Sequence, residues 1–494
     1  MVHVCASTLL IFFAIAGLDR GLAADLPASA ALAACQKLGT LKPPLLLGLP
    51  GSPQFNNDTA LSGLNAQQNS TCSIEPRSPQ ELLSIFKIIN ETRTPWAAKG
   101  NGHSYNKGFA STTGVQIALK QMNSFSYDAG RRTASFGPGN AWSDVFPKLE
   151  QHGVMTAGGR IEGVGVSGLA TGGGYSYKTN QLGLVSDNIV EYELVTYTGE
   201  ILNVTSSSHS DLFFGLQGGL NNFGIVTKFT LSAFPQSLVQ GTVLIVPAAN
   251  MTTLAHAILN FSQHVVDTKA DINPVFLYAG GTITGFVYLL YDGPKIPQGI
   301  FDDFIALGAQ FKQQTFSEYV ISSSEVVGTG LSRQGLQQWA TTGYSIDLLN
   351  KAIETTIKYG QIATTNHSGL ALYMTTEWFL PTSFSHGSDA GRPSAYPHSK
   401  SHPWNPANVG AAWDDPKDDK YFSDLLEQLA SDMQAAAVAE GLSSSDAIWY
   451  PNYVLGDTPV KRMYGDNVDI LANIAKKWDP WRISSLTGGF RFAK

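Results

Sequence analysis

Three glycine-rich segments carry the residues that could surround a large phosphorylated ligand. Residues 99–104 read Lys-Gly-Asn-Gly-His-Ser, so the backbone N–H groups of a flexible loop lie beside the ring nitrogens of His103. Glycine allows a backbone to approach a ligand closely, because no side chain stands in the way. Residues 163–174 and 218–227 show the same enrichment. Together they predict a site for a large planar or phosphorylated ligand; the alternative is that the 49 glycines only serve tight turns.

One of these segments formally matches a dinucleotide-binding fingerprint. Gly163, Gly165 and Gly168 have the G-x-G-x-x-G spacing, which should follow a strand and open a helix. Here the motif follows Thr-Ala-Gly-Gly-Arg at residues 156–160, and another glycine triplet comes directly after it. The missing context argues against a Rossmann domain.

The elements around these segments predict an α+β domain that ends near residue 240. Ser78 suits a helix N-cap, and Pro79 and Glu81 suit the first turn that follows it. Residues 24–72 are rich in Pro, Gly, Ala and Asn and predict irregular structure. Further predicted strands are 96–98, 116–119, 133–136, 191–196, 198–202 and 225–231, and further predicted helices are 141–152 and 212–216.

A second region predicts a sheet backed by helices. On its third predicted strand, Glu377 lies on the side opposite Leu372 and Met374, where a solvated glutamate is favoured over a functional acid. Residues 381–406 predict a long loop. The predicted strands are 275–278, 286–291 and 370–379, and the predicted helices are 252–266, 300–312, 346–358 and 419–440.

Composition excludes two classes of partner. The 494 residues are enough for two or three cores, but only 14% of them are charged and the net charge is −7. A nucleic-acid partner is not expected, because a phosphate backbone needs clustered Lys and Arg. No membrane anchor is expected either, since no stretch reaches the roughly 18 apolar residues of a span. A small-molecule partner fits best, and the sequence leaves the oligomeric state open.

The N-terminus and the sequons predict a secreted glycoprotein. Residues 1–23 have the short apolar core and small-residue cleavage site of a signal peptide, the alternative being a buried N-terminal helix. Cys5 would leave with that peptide, so Cys35 and Cys72 predict a disulfide, or else two free buried thiols. The predicted N-glycosylation sites are Asn57, Asn69, Asn90, Asn203, Asn250, Asn260 and Asn366.

The glycine segments, with Tyr-Pro-Asn-Tyr at residues 450–453 and the closing segment 478–490, resemble FAD-linked oxidases of the vanillyl-alcohol oxidase and berberine-bridge-enzyme type. The resemblance covers about residues 73–494 and implies an FAD-binding domain of the PCMH type in two parts. An N-terminal segment would occupy 24–72. The implied domains are 73–240 for FAD, 241–440 as an inserted substrate domain of antiparallel sheet and helices, and 441–494 as a C-terminal segment that returns to complete the FAD site.

The resemblance implies that His103 carries FAD covalently, the alternative being an ordinary surface histidine. A second, cysteinyl bond is not expected, because the matching position is Ile161. Val164 is similar to the oxygen-permissive form of the family, unless it only packs beneath the ring. The implied cofactor-binding residues are Lys99, Gly100, Asn101, Gly102, Ser104, Gly137, Thr156, Ala157, Gly158, Val164, Gly165, Gly168, Gly172, Gly173, Gly174, Asp187, Gly224, Ile225, Val226 and Asn452.

Two tyrosines are the implied catalytic residues, with Tyr450 ranked before Tyr453. A tyrosine base needs its pKa lowered from about 10 by a cation or by hydrogen bonds. The alternative is that both only pack against the ring edge. A metal site is not predicted: His398 and His402 have ligand-like spacing, and His386 shares their loop, but the prolines beside them oppose a helix.

The resulting functional hypothesis is a secreted FAD-dependent oxidase. It would take a hydride from an alcohol, phenol, amine or polyketide-like secondary metabolite, and O2 would then give hydrogen peroxide. One alternative is a sugar or oligosaccharide oxidase, and another is a flavin-bearing binding protein without significant turnover. Ring closure, which the family also includes, stays open.

Overall fold

The computed structural model describes residues 26–324 and 331–492, and within this range the strands form three larger sheets and one strand pair. The predicted signal peptide and Cys5 lie outside the described residues. Mixed helix and antiparallel sheet confirm the predicted α+β class.

One strand of the N-terminal sheet leads directly into the loop that contains His103. Its strand order is β1-β2-β4-β3, and β4 pairs in parallel with both β2 and β3. Ser78 caps α3 as predicted, because its hydroxyl accepts from the Glu81 backbone N–H. The elements are α1 (Leu26–Gly39), β1 (Leu46–Gly48), α2 (Pro53–Thr59), β2 (Cys72–Glu75), α3 (Pro79–Thr92), β3 (Trp96–Lys99) and β4 (Val115–Ala118).

The prediction of irregular structure over 24–72 is wrong for α1, β1 and α2. Alanine favours helix intrinsically, and α1 buries Ala34, Cys35 and Leu38 in a core that it shares with α3. Cys35 of α1 is joined to Cys72 of β2 by a disulfide. The N-terminal segment is therefore attached covalently to the first sheet.

A five-stranded antiparallel sheet follows, in the order β5-β6-β10-β8-β9. Large apolar side chains such as Trp142 and Phe146 of α4 fill its core. The elements are β5 (Phe125–Asp128), β6 (Thr133–Phe136), α4 (Trp142–Glu150), β7 (Val154–Met155), α5 (Val166–Thr171), α6 (Thr179–Leu182), β8 (Ile189–Thr196), β9 (Ile201–Val204), α7 (Ser210–Leu216), β10 (Gly224–Ser232) and β11 (Phe234–Pro235).

The third sheet has seven antiparallel strands in the order β15-β12-β14-β13-β17-β18-β16. The predicted helix over 300–312 is only five residues long, and β17 ends two residues before Glu377. The elements are β12 (Val239–Pro247), α8 (Met251–His264), β13 (Ala270–Ala279), β14 (Thr282–Tyr291), α9 (Asp302–Ala306), β15 (Lys312–Gln314), α10 (Phe316–Ser324), β16 (Arg333–Gln338), α11 (Ile346–Asn366), β17 (Gly369–Thr375), β18 (Asn408–Trp413) and α12 (Asp419–Ala439).

Strand alternation gives this sheet two different faces. On β13, Ile272 and Phe276 pack in one core with α8, α11 and α12, so Asp271 and Asn273 point the other way. Leu290, which pairs with Asp271, belongs to the core of the five-stranded sheet. The second face of the seven-stranded sheet is therefore turned toward the N-terminal half of the chain.

The C-terminal segment packs on the N-terminal half. Met463 and Tyr464 of α13 (Val460–Tyr464), and Leu471 of α14 (Asn467–Trp478), lie in the same core as Trp142. The Tyr464 hydroxyl donates to the Gly218 carbonyl oxygen at 3.0 Å. In the described part of the chain, no helix is both long and apolar enough to cross a bilayer.

Candidate active site

The first two glycine segments are in direct contact. A Cβ atom added to Gly165 would lie 3.0 Å from the Asn101 backbone nitrogen, and one on Gly100 would collide with the Ser167 hydroxyl. Gly102 adopts a positive φ of 78°, which glycine tolerates and other residues rarely do. Only glycine lets these two loops approach so closely, and the approach forms one cradle from residues some 60 positions apart in the chain.

His103 lies half-buried at this contact. Its Nε2 atom is 3.2 Å from the position a Cβ on Gly163 would take, and its ring makes no hydrogen bond within the described residues. Burial lowers the pKa of the imidazole, so the neutral form is favoured. A neutral ring with an unused nitrogen is what formation of a covalent bond requires.

Two polar atoms in the predicted FAD-binding segments have no partner. Asn101 Oδ1 and Thr156 Oγ1 are buried without a hydrogen bond, and the position of a Cβ on Gly168 faces open space. A buried polar group without a partner is costly, so such atoms in a native structure point to an unseen ligand or water. These groups fit a ligand that offers a hydrogen-bond donor to Asn101 Oδ1 and a polar atom to the Thr156 hydroxyl.

Several predicted cofactor-binding side chains point elsewhere. Lys99 Nζ donates to the carbonyl oxygens of Asn57 and Ala60 at 2.7 and 2.8 Å, at the end of α2, and burial lowers its pKa to about 8. Ile225 and Val226 are buried in apolar cores. Any contact these residues make with the ligand would have to come from their backbone atoms.

The third predicted glycine group supports the C-terminal tyrosines. The backbone N–H of Gly174 donates to Tyr450 Oη at 3.0 Å, and Asn452 Nδ2 donates to the same oxygen at 2.9 Å. A Cβ on Gly172 would overlap the Asn452 amide. The Tyr450 ring is perpendicular to that of Tyr453, with centroids 4.9 Å apart. The structure thus brings the Tyr-Pro-Asn-Tyr segment onto the glycine triplet.

Neither tyrosine has the lowered pKa that a tyrosine base needs. Burial raises the pKa of Tyr450 to about 12, although its hydrogen bonds from Asn452 and Gly174 oppose the shift. Burial and the charge of Glu377 raise the pKa of Tyr453 well above its usual range. Both phenols therefore carry their protons at neutral pH and need another group to receive a proton.

Glu377 is buried beside Tyr453, so the prediction that it is solvated is wrong. The residue is 2% exposed, and its Oε2 atom accepts from Arg160 Nη2 at 2.8 Å. Tyr453 Oη donates to Glu377 Oε1 at 3.0 Å and accepts from Arg160 Nη2 at 2.8 Å. The N-terminal half covers this face of the sheet, so a polar side chain on it is buried and needs partners.

Sequence reasoning missed Arg160 and Asp271. Arg160 follows Gly158 and Gly159 in a chain with few charges, and Asp271 interrupts an apolar strand, so both stand out once their neighbours are buried. The guanidinium carbon of Arg160 also lies 5.6 Å from the centre of the Phe379 ring. Asp271 is 1% exposed, and neither of its carboxyl oxygens has a hydrogen-bond partner.

The side chain of Asp187, a predicted cofactor-binding residue, holds the long loop over residues 381–406. His398 Nε2 lies 3.0 Å from Asp187 Oδ1, and His398 Nδ1 lies 3.0 Å from the Tyr396 carbonyl oxygen. His402 instead contacts the Ser401 hydroxyl. Among the described residues, no group of three or more His, Cys, Asp or Glu converges on a possible metal position.

Ile161, the position that matches the second covalent flavin bond, and Val164, the position that matches the oxygen-permissive form, lie in the same loop. Ile161 is 57% exposed, whereas Val164 is half-buried against the core that contains Trp142. The Val164 carbonyl oxygen accepts from the Trp142 backbone N–H at 3.0 Å. Val164 is therefore held in a fixed position next to the cradle.

Comparison with known proteins gives the nature of this site. Residues 71–205 match the family model described as an FAD binding domain. The chain is 40% identical over 177 residues to the FAD-dependent monooxygenase yanF of Aspergillus niger, across 35% of this chain and 30% of yanF. It is 26% identical to the FAD-dependent monooxygenase drtC of Aspergillus calidoustus, across 86% of this chain and 83% of drtC.

Solved structures share the whole fold. A berberine bridge enzyme variant described as a reticuline dehydrogenase superposes with a TM-score of 0.75 at 15% identity, covering 94% of this chain and 98% of that one. The carbohydrate oxidase of Microdochium nivale gives 0.74 at 19% identity, covering 94% of this chain and all of that one. The chain therefore contains an FAD binding domain over residues 71–205 and shares the fold of these solved structures.

Proposed function

We propose that this chain is a secreted FAD-dependent oxidase of a hydroxylated or amino-bearing, largely apolar secondary metabolite, with FAD joined to His103 through a single bond. When bound, FAD accepts a hydride from a substrate carbon and passes the electrons to O2, giving hydrogen peroxide. The chain's own residues must then hold the substrate, receive its proton and exclude water.

The Tyr453–Glu377 hydrogen bond carries this proposal. A substrate O–H or N–H group gives its proton to Tyr453 Oη while Tyr453 passes its own proton to Glu377 Oε1, 3.0 Å away. Arg160 Nη2 lies 2.8 Å from Glu377 Oε2 and from Tyr453 Oη, so it keeps both groups in position. The geometry favours Tyr453 as the proton acceptor over Tyr450, whose oxygen is occupied by Gly174 and Asn452.

The sheet face that adjoins this group supports an apolar substrate. Half-buried aromatic and aliphatic side chains lie on the face of the seven-stranded sheet that is turned away from its helices; they are Val275, Leu277, Phe286, Tyr288, Leu336 and Tyr373. Small-molecule sites of this kind bind mainly through apolar contacts, with a few polar groups for orientation.

Export is supported by the surface positions of the sequons. The side chains of Asn57, Asn69, Asn203, Asn250, Asn260 and Asn366 are exposed, and Asn90 is half-buried. A glycan can be attached only where the asparagine is accessible. With a disulfide between Cys35 and Cys72, these positions suit a protein that folds in an oxidising compartment.

A substrate panel tests the proposal. Benzylic alcohols, phenols, hydroxylated polyketide rings and alkaloid amines are compared with cello-, chito- and xylo-oligosaccharides. The readouts are anaerobic bleaching of the flavin and peroxide release in air. We expect bleaching by a member of the first group and none by the sugars. Bleaching only by oligosaccharides would replace the proposal with a carbohydrate oxidase, and bleaching by nothing would favour a flavin-bearing binding protein.

A further inference from the structure

Asp271 faces the site and is isolated from water. It lies on β13, and alternation turns it toward the N-terminal half, away from the helices that cover Ile272. Its side chain is 1% exposed, and both of its oxygens lack a hydrogen-bond partner. A buried carboxyl group in this state costs free energy unless something else meets it.

One guanidinium nitrogen of Arg160 has no hydrogen-bond partner among the described residues. Its Nη2 atom serves Glu377 and Tyr453, whereas its Nη1 atom is buried and without a partner. Ile272, next to Asp271, forms a β-bridge with Trp378, next to Glu377. The guanidinium carbon of Arg160 lies 5.6 Å from the centre of the Phe379 ring, so Asp271 lies beside the Arg160–Glu377 pair. The two side chains therefore have unused hydrogen-bonding atoms within one electrostatically connected cluster.

The charges in this cluster favour a neutral carboxyl group. Arg160 is already neutralised by Glu377 at 2.8 Å, so an ionised Asp271 would be a buried anion without a counter-ion. Burial and the Glu377 charge accordingly raise the pKa of Asp271 well above its usual value, although Arg160 opposes this. Asp271 then presents an O–H donor, and Arg160 Nη1 presents an N–H donor.

We propose that Asp271 and Arg160 form a subsite for a neutral acceptor oxygen of the substrate, the oxygen of a ketone, quinone or phenol. An acceptor oxygen satisfies both unused donors without adding a charge to the buried cluster. A carboxylate would add an uncompensated anion, and an ammonium group, which only donates hydrogen bonds, would find no acceptor between two donors. This inference rests on the proposed function, since it assigns the polar end of an otherwise apolar substrate.

Three naphthalene ligands that differ in one group test the subsite. Acetonaphthone presents a neutral carbonyl oxygen, naphthoate an anion and naphthylmethylamine a cation. Their binding to the FAD-loaded enzyme is measured by isothermal titration calorimetry, which needs no turnover. We expect the ketone to bind most tightly at every pH from 5 to 8. Preference for the amine or for the carboxylate, or no binding of the ketone, would overturn the assignment.

Two substitutions at Asp271 distinguish whether its carboxyl group is neutral or ionised. D271N keeps a neutral donor and should change ketone affinity by less than threefold, whereas D271L removes the hydrogen bond and should weaken it roughly tenfold. Asp424→Leu, on the exposed surface of α12, is the matched control. Unchanged ketone affinity in D271L would mean that only water occupies the subsite.

The asparagine variant keeps the test decisive even if D271L fails to fold. If Asp271 is ionised and holds a cation, D271N must abolish amine binding, and that result would contradict the proposal. Peroxide release is recorded separately on the same samples. Ketone binding that depends on Asp271 without any oxidised substrate would leave the subsite standing and overturn only the oxidase proposal.

Discussion

Arg160 Nη2 lies 2.8 Å from Glu377 Oε2, and this buried ion pair joins two side chains that are 217 positions apart in the sequence. Arg160 belongs to the N-terminal half, and Glu377 follows β17 of the seven-stranded sheet. Tyr453, from the C-terminal segment, bonds to both. One hydrogen-bonded group therefore connects the three parts of the chain at the site.

Removing one partner of this ion pair should destabilise the protein more than removing both partners. Arg160→Met or Glu377→Leu leaves a buried charge without a partner, and each should cost about 3–5 kcal/mol. The double variant should recover part of that loss, because no unpaired charge remains. Urea unfolding of all three proteins gives the coupling. Lys420→Ala, in an exposed pair on α12, is the control and should stay within about 0.5 kcal/mol. Additive losses would contradict direct pairing.

His103→Ala should abolish covalent attachment of the flavin. The half-buried imidazole has no hydrogen-bond partner among the described residues, and its Nε2 atom lies at the contact of the two glycine loops. After acid precipitation, we expect the yellow colour to stay with the wild-type pellet and to leave the variant. His256→Ala, at an exposed position on α8, serves as the control and should keep the colour. Colour retained by the His103 variant would mean that the flavin is attached elsewhere.

The two tyrosines should differ in their effects on substrate-driven flavin reduction. Tyr453→Phe removes the proton path to Glu377 and should slow reduction about a hundredfold. Tyr450→Phe leaves the Gly174 N–H without its acceptor, so it should mainly cost about 1–3 kcal/mol of stability. Stopped-flow reduction and thermal unfolding separate the two, with Tyr421→Phe on α12 as a remote control. Unchanged reduction in both single variants and the double variant would exclude a role for either.

The Asp187–His398 contact should make stability depend on pH. Burial opposes the imidazolium, but Asp187 outweighs it and raises the pKa of His398. The folded state thus binds this proton more tightly than the unfolded one. Its stabilisation is full below the unfolded pKa of about 6.5 and is lost as pH rises through the folded pKa. As the pH rises above 6.5, the Tm of the His398→Gln variant should therefore fall less than the Tm of the wild type. His256→Gln is the control. Parallel profiles would contradict the pairing.

The disulfide should contribute to the stability of the N-terminal sheet. Cys35 and Cys72 are separated by 37 residues, and closing such a loop is worth about 4 kcal/mol in the chain-entropy treatment. A Cys35→Ser, Cys72→Ser double variant should unfold at a lower temperature than the oxidised wild type. It should match the wild type treated with reductant. A double variant with an unchanged Tm would show that packing of α1 on α3 suffices.

Local residue types determined the helix starts, the close backbone contacts and the fold class of this protein. Ser78 and Pro79 start α3 because capping is decided within one helical turn, and the glycine segments mark close backbone contacts because no other residue fits there. Alternation over the predicted strand 370–379 put Glu377 on the side opposite Leu372, although β17 itself ends at Thr375. The FAD binding domain and the α+β class could accordingly be predicted from the sequence.

Tertiary structure decided which of those residues meet. Alternation separates the two faces of a strand, but it does not tell whether the second face is solvated or covered by another part of the chain; here it is covered, so Glu377 and Asp271 are buried. Likewise the position of α1 is set by α3, which receives its apolar side. The partner of a buried charge is set by packing between distant segments, and no local pattern contains that information.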